Sequence, residues 1–377
     1  MTVSTLSDLF DPVACPRLVI KVGSALLVGK DGLVRREWLS SLVEEIATAR
    51  SNGQQVAVVS SGAIALGAAR LGLEKGGRAS LADAQAAAAV GQIELSGLWA
   101  ELLGQNDIAA AQMLVTLDDL EDRRRYLNAS ATLVHLLECG AVPVVNENDS
   151  VATWGIRFGD NDRLGARVAQ AALADAIVLL SDVDGLYDRN PKEEGAQLIP
   201  LIQKIDSRIR AMADGGSASG MGSGGMTSKI QAAEIATRAG IALAIVNGLH
   251  EQPLSCALHS DRASVFAPRR NDAGRKAWLG GRIAIKGTLT VDDGAKAALG
   301  KGASLLAAGV TNVDGAFKRG DVVTIASVDG SPIAQGLAEY DADESRKIAG
   351  RKGAEQAELL GYTPRAAVVH RDHMVLL

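Results

Sequence analysis

Residues 215–229 read GGSASGMGSGGMTSK, which is six glycines and four serines in fifteen positions, ending on a lysine. Such a segment cannot form a packed core. Glycine lets backbone N–H groups approach a ligand closely, and successive N–H groups around a hollow bind anions. An amphipathic pattern over 230–239 follows and ends at Gly240, which predicts a helix whose positive N-terminal end lies beside the glycines. The segment is therefore predicted to hold a phosphate.

A flexible glycine–serine linker would have a similar composition. Two features argue against a linker: a lysine stands at the start of the predicted helix, and the segment interrupts an α/β pattern instead of joining two blocks of different composition. Gly220, Gly222 and Gly225 match G-x-G-x-x-G, but a helical pattern over 205–212 precedes them where a dinucleotide-binding fold has a strand. The Walker motif is absent, because no lysine in the chain is followed by Ser or Thr.

Apolar runs alternate with helical patterns on both sides of this segment. Five runs predict buried strands, at 18–24, 56–59, 141–145, 176–180 and 242–246. Four of these runs end directly in polar residues, and this pattern predicts an open, mainly parallel α/β sheet sandwiched by helices, with one binding crevice at the carboxyl ends of its strands. Lys21 lies inside the first run. It is either a solvated lysine on an edge strand or a group that points at an anion.

The composition changes near Pro268, where basic residues cluster over 269–276 in a polar segment. Short apolar runs separated by glycine and aspartate turns follow, which predicts a small β-rich domain. The predicted organisation is a loose leader over 1–16, an α/β domain over 17–267, a linker over 268–280 and the β-rich domain over 281–365.

Composition limits the classes of function. The chain has 377 residues and a net charge of −5, so its overall charge gives no reason to expect tight binding to nucleic acid. Cys15, Cys139 and Cys256 are far apart and form no C-x-x-C motif, which indicates a reducing, cytoplasmic location. The N-terminus lacks a basic start followed by an apolar run, and Asp175 breaks the apolar stretch near 171–180. The chain is predicted to be neither secreted nor membrane-spanning.

The side chains predicted at strand ends favour phosphoryl transfer. They comprise two lysines, Lys21 and Lys229, together with the glycine-rich segment, carboxylates and amides. No spacing in the chain indicates a Ser/His/Asp or Cys/His site, so hydrolysis by an activated nucleophile is not expected. Phosphoryl transfer chiefly requires charge neutralisation and alignment of donor and acceptor. A carboxylate acceptor is already ionised at neutral pH and needs no general base.

Six motifs taken together resemble the amino-acid kinase family. They are KVGS at 21–24, SSGAI at 60–64, NEND at 146–149, GDND at 159–162, SDVDGLY at 181–187 and GSGGMTSK at 222–229. The C-terminal part, with TVDDGA at 290–295, RGD at 319–321 and RKIAG at 346–350, is similar to a PUA domain. Each motif alone is weakly specific, but their order along nearly the whole chain is specific.

The resemblance implies that the side-chain carboxylate of L-glutamate is phosphorylated by ATP with Mg²⁺, giving L-glutamyl 5-phosphate, the first step of proline biosynthesis. It assigns Lys21, Asp162 and Lys229 to catalysis, with Asp162 orienting the two lysines, and Ser61, Asp149 and Asn161 to glutamate. The residues it assigns to ATP are Lys21, Ser181, Asp182, Ser223, Gly224, Gly225, Met226, Thr227, Ser228 and Lys229. No metal bound directly by protein side chains is predicted.

The resemblance further implies a homo-oligomer that proline inhibits. Two alternatives stay open at this point. A related kinase for another carboxylate acceptor would keep the ATP residues but would need different substrate loops and would usually lack the PUA domain. A PUA protein that binds or modifies RNA is supported by the basic cluster over 269–276, but the acidic pI near 5.7 and the 3% aromatic content argue against it.

Overall fold

The computed structural model describes residues 3–29, 32–151, 161–214, 225–268 and 285–377. It separates into two units, Met1–Arg269 and Arg270–Leu377. The strands of the first unit are β1 (Arg17–Val22), β2 (Gln55–Ser60), β3 (Ala110–Val115), β4 (Val142–Glu147), β5 (Ala176–Ser181), β6 (Leu201–Ile202), β7 (Ala242–Asn247) and β8 (Ala263–Phe266).

In the described part of the first unit these strands form one sheet in the order β3-β4-β2-β1-β5-β7-β8-β6. The six strands from β3 to β7 are parallel, β8 is antiparallel to β7, and β6 is parallel to β8. The predicted mainly parallel α/β sheet is confirmed. β1 lies in the middle, with Lys21 opposite Val59 of β2 and Leu179 of β5. The carboxyl ends of β1, β2 and β5 therefore meet at one edge of the sheet.

Helices join and cover these strands. Their bounds are α1 (Leu6–Leu9), α2 (Ser24–Leu27), α3 (Arg36–Ser51), α4 (Ala63–Leu71), α5 (Leu81–Gly104), α6 (Leu117–Glu121), α7 (Arg123–Glu138), α8 (Asn161–Ala171), α9 (Ser207–Asp214), α10 (Met226–Arg238) and α11 (Pro253–Ser260). The longest of them, α5, starts where the Ser80 side chain accepts a hydrogen bond from the Asp83 N–H, an N-cap that satisfies one unpaired donor of the first turn. None of the described helices is long and apolar enough to cross a membrane.

The predicted loose leader over 1–16 is wrong from Val3 onward. Leu6 and Leu9 of α1 are buried in the main core together with Val3 and Cys15. The Gln54 amide donates to the backbone carbonyls of Leu9 and Cys15, both at 2.7 Å, and so fixes the segment to the loop before β2. The segment is too short to show a clear helical pattern in the sequence, although its apolar residues Val3, Leu6 and Leu9 recur three positions apart. Burial raises the pKa of the Cys15 thiol to about 12.

Helices α4 and α5 approach each other through their backbones. A Cβ atom added at Gly67 would overlap the carbonyl oxygen of Ala87, and one added at Gly91 would overlap the carbonyl oxygen of Ala63. The close approach therefore requires glycine at both positions. It also fixes the first turn of α4, which begins directly after the polar residues at the end of β2.

Gly67→Ala is expected to lower the free energy of unfolding by roughly 1–3 kcal/mol or more, because the helices must separate to admit a methyl group against rigid backbone. Gly97→Ala is the matched control, since Gly97 lies exposed on α5 and has no atom within 4 Å of its added Cβ. The control should keep or slightly raise stability through the higher helix propensity of alanine. Urea unfolding followed by circular dichroism measures both variants, and equal midpoints would refute the packing argument.

The second unit contains a five-stranded sheet in the described residues. Its elements are β9 (Gly287–Val291), α12 (Asp293–Gly300), β10 (Val310–Gly315), β11 (Val322–Ser327), β12 (Pro332–Leu337), α13 (Ala342–Ile348), α14 (Gly353–Leu360) and β13 (Met374–Leu376), with the strand order β10-β9-β11-β12-β13. The predicted β-rich fold is confirmed. Its predicted end at residue 365 is wrong, because β13 pairs with β12 and Val368, Val369 and Met374 belong to the core. Apart from Pro268, the predicted linker over 268–280 lies outside the described residues.

Candidate active site

Three charged side chains from distant parts of the sequence meet at the carboxyl edge of the large sheet. Lys21 comes from β1, Asp162 from the first turn of α8 and Lys229 from the first turn of α10. The Lys21 Nζ lies 2.6 Å from Asp162 Oδ1, and the Lys229 Nζ lies 3.1 Å from Asp162 Oδ2. Asp162 is 1% exposed and each lysine is 7% exposed. One buried carboxylate thus bridges two ammonium groups.

The charges of this cluster do not cancel. Burial tends to raise the pKa of Asp162, but the fields of Lys21 and Lys229 and their hydrogen bonds outweigh it, so the pKa is lowered and the carboxylate stays ionised. Two ammonium groups against one carboxylate leave a formal excess of one positive charge in a buried place. Net positive charge on these three side chains favours the binding of an anion at this edge of the sheet.

Lys21 reaches the cluster because its strand is central and a glycine lies beside it. The added Cβ of Gly165, on α8, would stand 3.1 Å from Cδ1 of Ile177 and in van der Waals contact, at 3.5 Å, with Cβ and Cγ of Lys21, so α8 packs closely against the lysine stem. Asp162 lies one turn before Gly165 on the same helix. The edge-strand interpretation of Lys21 is therefore wrong. Gly165 was not predicted as part of the site, although it follows Asp162 by three residues, a spacing that places both on one face of a helix.

The glycine-rich segment is described only from Gly225. Ser223 and Gly224 lie outside the described residues, whereas Gly225 precedes α10 as its N-cap. Met226, Thr227 and Ser228 form the first turn of α10, followed by the buried Lys229. A helix start carries partial positive charge, and here it lies next to the excess positive charge of the cluster. For residues 225–229, a solvated linker is ruled out.

Two polar side chains form a second group beside this cluster. The Asn161 Nδ2 donates to the Ser61 Oγ at 2.6 Å, and both residues are buried. The Ser61 N–H also donates to the carbonyl of Val22 at the end of β1. Asn161 Oδ1 is buried and accepts no hydrogen bond within the described parts of the chain. Since a buried acceptor without a donor is unfavourable, this oxygen is suited to a ligand's N–H group.

Asp149 follows β4 and is 9% exposed. Its carboxylate has no hydrogen bond or ion pair among the described residues, and burial raises its pKa to about 6, with the Arg78 guanidinium acting in the opposite direction.

Two side chains of α5 hold the ends of β4 and β2: Gln92 accepts from Asn146 at 2.8 Å, and the Trp99 indole N–H donates to Ser60 at 3.0 Å. Neither contact was predicted, because the sequence of a long alanine-rich helix does not indicate which of its polar side chains reach a neighbouring strand.

Ser181 and Asp182 lie at the end of β5, next to β1. The Ser181 hydroxyl donates to Asp182 Oδ1 at 3.2 Å, and the Ser181 carbonyl accepts from the Gly248 N–H at 2.7 Å. Asp184 anchors the following loop through the side chains of Asn247, Tyr187 and Arg262. The structure gives no direct contact between Asp182 and the lysine cluster, so these residues share an edge of the sheet and not a bonded network.

The described residues contain no group of three or more His, Cys, Asp or Glu side chains that could enclose a metal ion. Asp162 is already bonded to two ammonium groups.

Comparison with known proteins adds independent information. The model of the amino acid kinase family matches residues 16–247, and the PUA domain model matches residues 287–360. The chain is 62% identical over 377 residues to the glutamate 5-kinase of Novosphingobium aromaticivorans, covering 100% of both chains. It is 62% identical to the glutamate 5-kinase of Sphingopyxis alaskensis, covering 98% of this chain and 100% of the relative. The glutamate 5-kinase of Zymomonas mobilis is 54% identical, with 98% and 93% covered.

Proposed function

The chain belongs to the amino acid kinase family, and we infer that it transfers a phosphoryl group from ATP to the side-chain carboxylate of L-glutamate. The product is L-glutamyl 5-phosphate, the first intermediate of proline biosynthesis. The observation that carries this conclusion is the 62% identity to a glutamate 5-kinase over the full length of both chains. The geometry of the site is consistent with it, because an excess of buried positive charge suits a phosphoryl group.

We propose that Lys21 and Lys229 stabilise the phosphoryl group in transit. An oxygen of the glutamate side-chain carboxylate forms a bond to the γ-phosphorus, the bond from that phosphorus to the β,γ-bridging oxygen breaks, and ADP leaves. The acceptor is already ionised, so no side chain has to remove a proton. Asp162 holds both ammonium groups in position before the reaction. This preorganised charge is where the protein lowers the barrier.

We propose that glutamate binds beside Ser61, Asp149 and Asn161. The buried carboxylate of Asp149 is complementary to the substrate's ammonium group, and Asn161 Oδ1 accepts a second hydrogen bond from it. Ser61 lies at the turn into α4, where backbone N–H groups are available for a carboxylate. The hydrogen bond between Asn161 and Ser61 supports this proposal, because it holds the two side chains in place before a ligand binds.

For ATP we propose binding by Ser181 and Asp182 on one side and by residues 223–229 on the other. Mg²⁺ would reach the site bound to the phosphates of ATP, where it neutralises part of their charge. The described side chains do not form a cage for it, and no step above is assigned to it. We also propose a cytoplasmic location, a homo-oligomer and inhibition by proline, each supported by the resemblance of the motifs to the family.

The test of the proposed function is ATP turnover against a panel of amino acids, with hydroxylamine present to trap an acyl phosphate as the hydroxamate. L-Glutamate should give the hydroxamate at a far higher rate than L-aspartate or N-acetyl-L-glutamate. A preference for another acceptor would refute the assignment of glutamate. A gel shift with structured RNA at moderate salt tests the alternative role of the PUA domain.

Asp149→Asn is expected to raise the KM for L-glutamate by roughly 10- to 100-fold and to leave the KM for ATP nearly unchanged, because a charge-assisted contact contributes about 1.5–3 kcal/mol. In the unsubstituted protein, kcat/KM for glutamate should fall below pH about 6, where Asp149 becomes protonated. Glu94→Gln, which removes an exposed charge from α5, is the control. A weakened ATP site with normal glutamate affinity would reverse the assignment.

Asp149→Asn should make the protein more stable although it lowers the affinity for glutamate. The folded-state pKa of Asp149 lies above its ordinary value of 3.8, so burial disfavours the charged form, and this residue costs stability as the pH rises from about 4 to about 6. At pH 8, Asp149→Asn without glutamate should therefore unfold at a higher temperature than the unsubstituted protein. Differential scanning calorimetry at pH 5 and pH 8 measures the effect, which should be larger at pH 8.

A further inference from the structure

We propose that Gln92 and Trp99 of α5 are positioning residues for the amino-acid substrate, and that they act through buried hydrogen bonds which set the positions of Ser61 and Asp149. The proposal rests on the proposed function and deepens it, because it adds the residues that hold the glutamate site in shape before glutamate binds. Both act through a neighbouring side chain and not by contact with the substrate. Neither lies in a motif that carries the family resemblance.

The two side chains lie on one face of α5, because seven residues are close to two helical turns. They meet the ends of two neighbouring strands: Val59 of β2 pairs with Val145 of β4, and the next residues are Ser60 and Asn146. Ser60 is 0% exposed and Asn146 is 1% exposed, so their polar side chains need partners within the protein. Helix α5 supplies both partners at adjacent positions of the carboxyl edge of the sheet.

The first chain of hydrogen bonds runs from Trp99 to Ser61. The indole N–H of Trp99, which is fully buried, donates to the Ser60 hydroxyl at 3.0 Å. An indole nitrogen can only donate, so the Ser60 oxygen accepts this bond and its own proton is left for another acceptor. That acceptor is the Ser61 carbonyl, at 3.3 Å. The peptide after Ser61, which leads into α4, is thus tied to α5.

The second chain runs from Gln92 toward Asp149. The Gln92 side-chain oxygen accepts from the Asn146 amide at 2.8 Å, and this bond is buried. With its N–H groups turned to Gln92, the Asn146 amide presents its oxygen to the Glu147 N–H at 2.9 Å. The main chain is therefore fixed two residues before Asp149, on the turn that carries this buried carboxylate.

Helix α5 can hold the strand ends because its own position is set by main-chain contact. Gly91 precedes Gln92, and its added Cβ would stand 1.9 Å from the Ala63 carbonyl oxygen. Trp99 lies in the main core. A helix held in this way keeps the two parts of the proposed glutamate site at a fixed separation. A preorganised site loses less conformational entropy on binding, so loss of either chain should weaken glutamate binding and spare ATP.

The experiment measures the KM for L-glutamate and the KM for ATP in the hydroxamate assay, using Trp99→Phe and Gln92→Leu. Each substitution keeps most of the apolar bulk and removes the hydrogen-bonding group. Both should raise the KM for L-glutamate by roughly 3- to 10-fold, which is the equivalent of about one lost hydrogen bond, and leave the KM for ATP unchanged.

Trp38→Phe and Gln54→Leu are the matched controls for damage to the fold. Both side chains are buried and donate to backbone carbonyls, but those carbonyls lie in the loop after β7 and in the N-terminal segment. Both controls should lower the melting temperature and keep the KM for L-glutamate. A rise in the KM for L-glutamate in the controls equal to that in Trp99→Phe and Gln92→Leu would overturn the proposal.

A double-mutant cycle tests whether Trp99 acts through Ser60. Ser60→Ala removes the hydroxyl that joins Trp99 to Ser61, so adding Trp99→Phe to it should raise the KM for L-glutamate no further. Ser60→Ala keeps the core tryptophan and reads the same chain if Trp99→Phe fails to fold. Effects on KM that multiply, or an unchanged KM for L-glutamate in either α5 variant, would overturn the role of that residue. If the unsubstituted protein forms no glutamyl hydroxamate, the proposed function itself fails and this proposal falls with it.

Discussion

Lys229→Ala is expected to lower kcat by about 10²–10³ while changing ATP affinity much less, because removing one preorganised charge costs mainly transition-state stabilisation. The lysine is 7% exposed and lies 3.1 Å from Asp162, beside the excess positive charge of the site. Negative charge shifts from donor to acceptor during transfer, and a fixed ammonium group stabilises that shift. Single-turnover kinetics with ATP and glutamate measures the chemical step directly.

Two further variants test the cause of this loss. Lys229→Met keeps most of the apolar stem without the charge, so it should be as slow as Lys229→Ala while retaining the packing. Lys229→Arg should recover little activity, since a planar fork does not replace a compact ammonium group in a buried position. A near-normal kcat in Lys229→Ala or Lys229→Met would contradict the electrostatic role of Lys229.

Asp162→Asn is expected to lower the free energy of unfolding by about 3–5 kcal/mol, because two buried ammonium groups lose their shared counter-charge. The pKa of Asp162 is held below its ordinary value of 3.8 in the folded state. Its stabilising contribution is therefore complete above about pH 4 and is lost as the pH falls through the folded-state pKa. Urea unfolding of both proteins at pH 7.5 and at pH 3 measures the difference, which should shrink in acid.

Anions should partly restore the stability of this variant. With Asp162 neutralised, the formal excess at the site rises from one positive charge to two, so inorganic phosphate or ADP should raise its melting temperature more than that of the unsubstituted protein. Asp118→Asn, an exposed acid on α6, is the control and should change neither quantity. An Asp162→Asn protein as stable as the original at pH 7.5 would show that the bridging carboxylate contributes nothing to the fold.

The sequence predicts the central strands of the large sheet better than the strands near its edges. β1, β2, β4, β5 and β7 each contain a run of three or more apolar residues, because strands in the middle of a parallel sheet are covered on both faces. β3 lies at the sheet edge and mixes exposed with buried residues, and β6 has two residues, so neither gives a clear apolar run. β8 runs antiparallel to β7 and follows a short helix. It therefore does not continue the regular alternation of parallel strands and helices that the sequence predicts for the rest of the sheet. An apolar run is a weak signal for a strand at the edge of a sheet, because such a strand has a partner on one side only.

In the site, too, some residues could be predicted from the sequence and others could not. Lys21, Asp162 and Lys229 were identified by motif, and the structure brings them together. Gln92 and Trp99 were missed, because both belong to a long helix whose local sequence does not indicate their hydrogen-bond partners. Their positions follow from how α4 and α5 pack, and that packing depends on two glycines without any motif. Contacts made between distant segments cannot be derived from the segments one at a time.

The backbone contact between α4 and α5 has a consequence for how this protein can evolve. Main-chain atoms are common to all residues, so a pairing made by them does not depend on which side chains the outer faces carry. Substitutions can accumulate along the solvent side of both helices without moving the Ser61 turn, provided that Gly67 and Gly91 are kept. Substitutions on the outer faces of α4 and α5 should therefore have little effect on the proposed glutamate site, whereas substitutions of Gly67 or Gly91 should disturb it.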